Sequence, residues 1–465
     1  MTDFAPLLQP DRGGSAHPIH LVDKNSFADW HKKQNAARRE LLEASRFEGK
    51  TAYQFAILPA VHGHEWAVVA TVANVAALSP WCMAKLAEAL PEGSYRLAEG
   101  DPGPAMLGWL LGQHRLNSYR SKAEDQRGPR VLLTKEAAEI GRTIRLAEAT
   151  VLVRDLVDTP AADMGPADIE AAARDIAKAH GAKVEVTSGD ALSQGYPMIA
   201  AVGQGATRER APRLIELHWG KESAPTVAIV GKGVCFDSGG LDIKTAAGMR
   251  LMKKDMGGAA HALALARLVM AEQMPIRLHV LVPAVENSVS ASSYRPGDVL
   301  SSRKGLKVEI DNTDAEGRLV LGDALARAGE GEPELIIDFA TLTGAARIAL
   351  GPDLPAMFAN DDDLAASLEA AAKAVTDPIW RMPLWDGYDE MLKSDLADLA
   401  NAADSPMAGA VTAALFLRRF VTEGTPWAHF DTFAWRPSAK PGRPKGGDAM
   451  GLRAAYAMLR QRFSA

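Results

Sequence analysis

Two short segments hold the residues whose types and spacing suit chemistry. The first is Ile310-Asp311-Asn312-Thr313-Asp314-Ala315-Glu316-Gly317-Arg318-Leu319, with two carboxylates two residues apart and an arginine just beyond. The second runs Gly231-Lys232-Gly233-Val234-Cys235-Phe236-Asp237-Ser238-Gly239-Gly240 and continues to Lys244 and Asp255. Carboxylate oxygens suit Zn²⁺, Mn²⁺ or Mg²⁺. Asp237, Asp255, Asp314 and Glu316 are enough to hold two divalent ions with shared ligands. Such a pair, ~3.5–4 Å apart, activates water near neutral pH and clamps a tetrahedral intermediate. No histidine falls in the cluster and no HExxH occurs, which disfavours a mononuclear zincin. Any one of these acids alone is more simply a turn residue or helix cap. Only their conjunction, in two glycine-bracketed segments, points to a site.

The elements around them read as α/β. Pro166–Ala179 is expected to be helix, Lys183–Val186, Leu214–Trp219 and Thr226–Gly231 strands, Gly257–Ala271 helix and Ile276–Val285 strand. Leu306–Asp311 is expected as strand, Gly317–Ala328 as helix, Leu335–Ala340 as strand and Leu452–Phe463 as a closing helix. Helices alternating with continuous apolar strands imply a largely parallel, buried sheet flanked by helices. Ligands in such sheets sit beyond the carboxyl ends of the strands. Asp237 and the pair Asp314 and Glu316 both follow strands, so both segments can face one crevice. The expected organisation is a smaller N-terminal α/β domain over 1–130, a connecting helix over 131–157, apolar at Ile140, Ile144, Ala147 and Val151, and a larger catalytic domain over 158–465. Pro437–Gly447, rich in Pro, Gly and Lys, is expected to be loop.

Composition bounds the partners. The 465 residues carry a net charge of −6, with 47% hydrophobic and 24% charged residues, as in an ordinary globular protein. That balance gives no global reason to expect nucleic-acid or membrane binding. Lys32, Lys33, Arg38 and Arg39 form a short basic run that reads as a solvated helix face. The two cysteines, Cys82 and Cys235, stand far apart, which excludes a disulfide framework and fits a reducing compartment. No secretory signal or transmembrane stretch is expected. His62, His64 and Glu65 lie close enough to bind a metal, but turn histidines are the commoner explanation.

The segments Gly231–Gly240, Met252-Lys253-Lys254-Asp255-Met256-Gly257-Gly258-Ala259-Ala260 and Asn312–Leu319, with Tyr294–Val299 and Ala340–Ala345, resemble the signature of the leucyl (cytosol) aminopeptidase family. The resemblance runs from about Val151 to about Phe430. It implies a metal-dependent enzyme that releases N-terminal, Leu-like residues from peptides with a free amine, through a metal-bridging hydroxide. By the same resemblance, Lys232 and Asp255 would hold the tighter ion and Asp314 the more exchangeable one, with Asp237 and Glu316 bridging. The ions would be Zn or Mn, with Mg a candidate at the exchangeable position. Lys244 would stabilise the oxyanion, and Arg318 would hold a bicarbonate acting as general base. Met252, Thr341 and Gly344 would line the pocket for the first side chain. A cytoplasmic homohexamer is implied as well.

Phe430-Asp431-Thr432-Phe433-Ala434-Trp435 departs from the family's usual Asp-Ile-Ala-Gly-Thr-Ala-Trp, and Gly446-Gly447-Asp448-Ala449-Met450-Gly451 from its Gly-Ala-Thr-Gly turn. Both departures bear on first-residue preference. Two competing readings are a two-metal phosphoesterase, with Lys244 and Arg318 clamping a phosphate, and a non-catalytic peptide-binding scaffold of the same fold.

Overall fold

The strand Thr226–Gly231 has its last five residues buried, and Leu335–Ala340 is buried throughout. Strands without a polar face need cover on both sides, which helices provide. This computed structural model describes residues 2–60, 66–121 and 128–463. His62, His64, Glu65 and the charged stretch from Lys122 to Arg127 lie outside the described residues. The described chain divides into two compact units, residues 1–151 with 438–445 and residues 152–437 with 446–465.

The first unit is built on a six-stranded sheet in the order Leu8–Pro10, Arg130–Thr134, Gly93–Leu97, His17–Val22, Ala67–Thr71, Phe55–Leu58. All neighbours are parallel except the last pair. Arg130–Thr134 is strand because its side chains alternate between buried and half-buried. The long helix therefore begins at Ala137, not at Leu132, and runs to Asp158. Its Ile140, Ile144, Ala147 and Val151 join the core of the first unit, with Tyr95, Trp109 and Leu132.

The second unit holds a nine-stranded sheet. Eight strands follow the order Trp380–Arg381, Ala356–Ala359, Trp427–Asp431, Leu335–Ala340, Thr226–Gly231, Arg277–Asn287, Arg213–Trp219, Lys183–Ser188, and Gly233–Asp237 pairs with Arg277–Asn287. The pairings around the centre are parallel, and antiparallel ones lie toward the edges. The mixed, mostly parallel α/β architecture is thus the expected one. Gly257–Ala271 is apolar on almost every side and almost wholly buried, as a helix laid across such a sheet must be. Glu316–Gly329 is buried over most of its length too.

One strand is placed differently from expectation. Leu306–Asp311 contributes only Lys307–Glu309, and to a separate three-stranded sheet with Val299–Ser301 and Leu399–Ala400. Only Val308 of this strand is buried, so it lacks the apolar length that a central strand requires. The stretch Pro437–Gly447 is framed at its base by a two-residue antiparallel pair, Trp435–Arg436 with Gly446–Gly447. Among the described residues, no helix is long and apolar enough to cross a membrane.

Candidate metal centre

Lys232 follows directly on the strand Thr226–Gly231, and its amide donates to the Phe339 carbonyl of the neighbouring strand at 3.0 Å. The chain turns at once into Gly233–Asp237, which ends on Asp237 in register with Asn287. This short strand is not among the expected elements, in which Asp237 simply follows Thr226–Gly231. Gly239 and Gly240 then adopt φ of +88° and +67°, left-handed backbone that a side chain would resist. The turn they make returns the Lys244 amide to the Ser238 carbonyl at 2.9 Å. Asp255 lies on the short 3-10 helix Met252–Met256, and Glu316 opens the helix that carries Arg318.

These segments bring the predicted residues together. Asp237, Asp255 and Glu316 each offer a carboxylate oxygen within 4.8 Å of the others. The Lys232 ammonium stands 2.7 Å from Asp255 Oδ2 and 2.9 Å from Glu316 Oε1. Lys244 Nζ is 2.8 Å from Asp237 Oδ2 and also bonds Asp314. With Lys254 Nζ 3.1 Å from Asp255 Oδ1, three ammonium groups thus stand among four carboxylates. Burial works against a charge on Lys232, but Asp255, Glu316 and Asp237 outweigh it and raise its pKa. Lys244 is raised in the same way, against burial, by Asp237 and Glu316.

The acids themselves are not fully compensated. Burial, then the Asp237 charge, pushes Glu316 up to about 8 and Asp314 up to about 6. Asp255 goes the other way: Lys232 and Lys254 hold it below the usual carboxylate range despite burial. Asp255 Oδ2 and Glu316 Oε1 are buried and face the Lys232 ammonium alone, with no other donor among the described residues. Crowded, desolvated carboxylates, two of them pushed up by burial and mutual repulsion, are a donor set that a hard divalent cation completes. The residues present fit such ions.

A shell of neutral groups fixes the ligands. Asn287 Nδ2 donates to Asp237 Oδ1 at 2.9 Å and to the Thr313 carbonyl at 3.0 Å. Thr341 Oγ1 donates to Asp255 Oδ1 at 2.7 Å. Thr313 Oγ1 donates to the Gly239 carbonyl at 2.7 Å, and its amide to Asp242 Oδ2 at 2.7 Å, locking the two sequence segments to each other. Asn287 was legible only as a polar residue closing an apolar strand, and sequence reasoning passed over it. Partners of this kind orient metal ligands and tune their basicity.

The remaining predicted residues lie around this core. Arg318 is 9% exposed, its Nη1 has no hydrogen-bond partner, and burial lowers its pKa to about 10. Met252 is largely buried on the 3-10 helix beside Asp255, and Gly344 starts the helix Gly344–Leu350, capped by Thr343. Thr341 is buried and spends its hydroxyl on Asp255. A second acid and histidine group, Glu216, His218 and His279, forms elsewhere in the sheet. There Glu216 accepts from His279 at 2.8 Å and from Arg327 at 3.1 Å, so a cation already occupies the carboxylate.

A buried carboxylate cluster among lysines, on a mostly parallel α/β sheet, is a site suited to divalent ions. Comparison with known proteins supplies the class. Residues 151–456 match the catalytic domain of the cytosol aminopeptidase family, and residues 17–129 match the N-terminal domain of M17 aminopeptidases. A relative from Roseiflexus castenholzii, named "Probable cytosol aminopeptidase", is 42% identical over 76% of this chain and 75% of its own. One from Geobacter sp. with the same name is 39% identical over 81% and 77%. The crystal structure of cytosol aminopeptidase from Coxiella burnetii superposes with a TM-score of 0.92 at 45% identity, covering 99% of this chain and 100% of that one. The bottromycin maturation enzyme BotP in complex with Mn superposes at 0.86 and 31%, covering 96% and 100%. The chain belongs to the cytosol aminopeptidase family and is a metallo-aminopeptidase of the leucyl aminopeptidase type.

Proposed function

We propose that this protein removes the first residue from peptides with a free N-terminus, favouring an apolar, Leu-like residue, with two divalent ions per subunit. The observation that carries the reading is the meeting of Asp237, Asp255 and Glu316 oxygens within 4.8 Å, beside Lys232 and Lys244. Bound there, the ions (Zn or Mn, with Mg a candidate at the exchangeable position) supply Lewis acidity and an activated water.

The chain's own residues do the rest. Lys232 and Asp255 would hold one ion and Asp314 the more exchangeable one, with Asp237 and Glu316 as ligands common to both. Lys232 serves as a ligand only when neutral. Lys244, partly open to solvent, keeps its proton and donates to the oxygen on which charge develops. Arg318, whose Nη1 has no partner, would hold a bicarbonate, which would supply a general base when bound. Met252, Thr341 and Gly344 border the recess for the first side chain. The protein works in the cytoplasm as a homohexamer on peptide substrates, with no membrane or nucleic-acid partner. The net charge of −6 supplies no general attraction to nucleic acid or an anionic membrane.

The test is release of leucine from a Leu-Xaa dipeptide beside its N-acetylated form, as purified, after chelation, and after Mn²⁺ or Zn²⁺ is restored. Cleavage of the free-amine peptide alone, lost on chelation and regained with metal, is the expected result. Equal cleavage of the acetylated peptide would remove the amine from the proposed anchoring.

A further inference from the structure

The stretch that departs from the family pattern, Phe430–Trp435, places Phe433 between two cations. The Arg347 guanidinium carbon lies 4.9 Å from the centre of its ring and the Lys254 ammonium 5.8 Å from it. Neither cation has a role in the proposed mechanism, and both adjoin residues bordering the first-side-chain recess. Lys254 shares the 3-10 helix of Met252. Arg347 sits one turn after Gly344, with Nη2 3.6 Å from where a Cβ on Gly344 would stand.

Both cations are short of acceptors. Lys254 is 1% exposed, and its one described hydrogen bond goes to Asp255 Oδ1 at 3.1 Å. An ammonium has three donors, and Asp255 Oδ1 is already taken by Thr341 at 2.7 Å. The Arg347 side chain has no hydrogen bond or ion pair among the described residues. Lys254, buried against a single acceptor, has donors to spare, and an aromatic face offsets only part of the cost of burying it; Arg347 is half-buried. An apolar first side chain would leave both cations as they are. A carboxylate would answer both.

We propose that this recess is a carboxylate receptor, in which Lys254 and Arg347, beside Phe433, favour an N-terminal glutamate or aspartate over the corresponding amide. The inference rests on the aminopeptidase reading above and names a further substrate class for the same site. Met252 and Phe433 still offer apolar surface, so Leu remains a substrate. First residues bearing a positive charge are disfavoured.

The experiment compares kcat/KM for Glu-Xaa, Gln-Xaa and Leu-Xaa dipeptides with the metal-loaded enzyme, then with Lys254→Met and Arg347→Gln, measuring ion content in each. Glutamate and glutamine have the same shape, so their ratio isolates charge and cancels any change in ion loading. A charge-assisted hydrogen bond predicts that Glu exceeds Gln by about tenfold or more in the unaltered enzyme. Each substitution should lower that ratio by about tenfold. The proposal is overturned if Leu is released but Glu is no better than Gln. It is equally overturned if the ratio survives both substitutions while ion content falls in Lys254→Met, since Lys254 would then only position Asp255. Release from none of the three peptides would sink the aminopeptidase reading itself, and this inference with it.

Discussion

The two halves of the metal centre are built from the same residue types and differ in their access to water. In the inner half, the side chains of Lys232, Asp255 and Glu316 are 3%, 3% and 1% exposed. In the outer half, Lys244 and Asp314 are 14% and 34% exposed. The inner lysine is closed in by two carboxylates, whereas the outer one reaches an acid that still touches solvent. Desolvated charge is costly unless matched, so on the proposed function the inner half would have more to gain from an ion and would hold it harder. The outer half is more open to water, which on the proposed function would let its ion exchange and let a substrate reach Lys244. Solvent access would thus separate a holding half from a working half.

The largest break of this comparison is Glu316→Ala, which removes a ligand common to both halves. Turnover should fall by roughly a thousandfold or more, with loss of bound metal measured on the dialysed protein. Next, Lys244→Ala acts on the working half alone. kcat should drop by about a hundredfold or more while ion content stays near two per subunit; full turnover in this variant removes Lys244 from the oxyanion role. Splitting the ligands sharpens the contrast further. Asp314→Ala should leave one ion bound after dialysis, and Asp255→Ala fewer than one, read by elemental analysis. If both variants lose the same ion equally, the two halves are not distinct. The smallest effect is expected for Arg318→Ala, a fall of about ten- to a hundredfold in kcat. Added bicarbonate should restore the unaltered enzyme after its removal and leave this variant unimproved.

Much of the site was legible because its residues cluster in sequence around turns. Lys232, Asp237 and Lys244 lie within thirteen residues of one another, as do Asp314, Glu316 and Arg318 within five, and strand-to-loop geometry sends each group toward one crevice. The groups that hold them were less legible. Asn287 closes a strand fifty residues after Asp237 and meets it only through parallel pairing. Thr341 reads as a pocket residue, yet its hydroxyl belongs to Asp255. The alternating burial of Arg130–Thr134 was hidden by the helical pattern that follows it. Lys307–Glu309 read as a central strand because apolar content does not reveal which sheet a strand joins. Ser438–Lys445 clusters with the first unit although it lies nearly three hundred residues beyond it in the chain, a return that local pattern cannot announce.

Gly317 packs so tightly that a Cβ there would stand 2.6 Å from the Lys232 ammonium. The helix that begins at Glu316 and the strand that leads to Lys232 must therefore dock fully before the inner carboxylates and lysine can meet. An unfolded chain presents no such pocket, so ions bind the finished fold in preference to its precursors. On the proposed function, bound ions would therefore stabilise the fold as well as supply the chemistry.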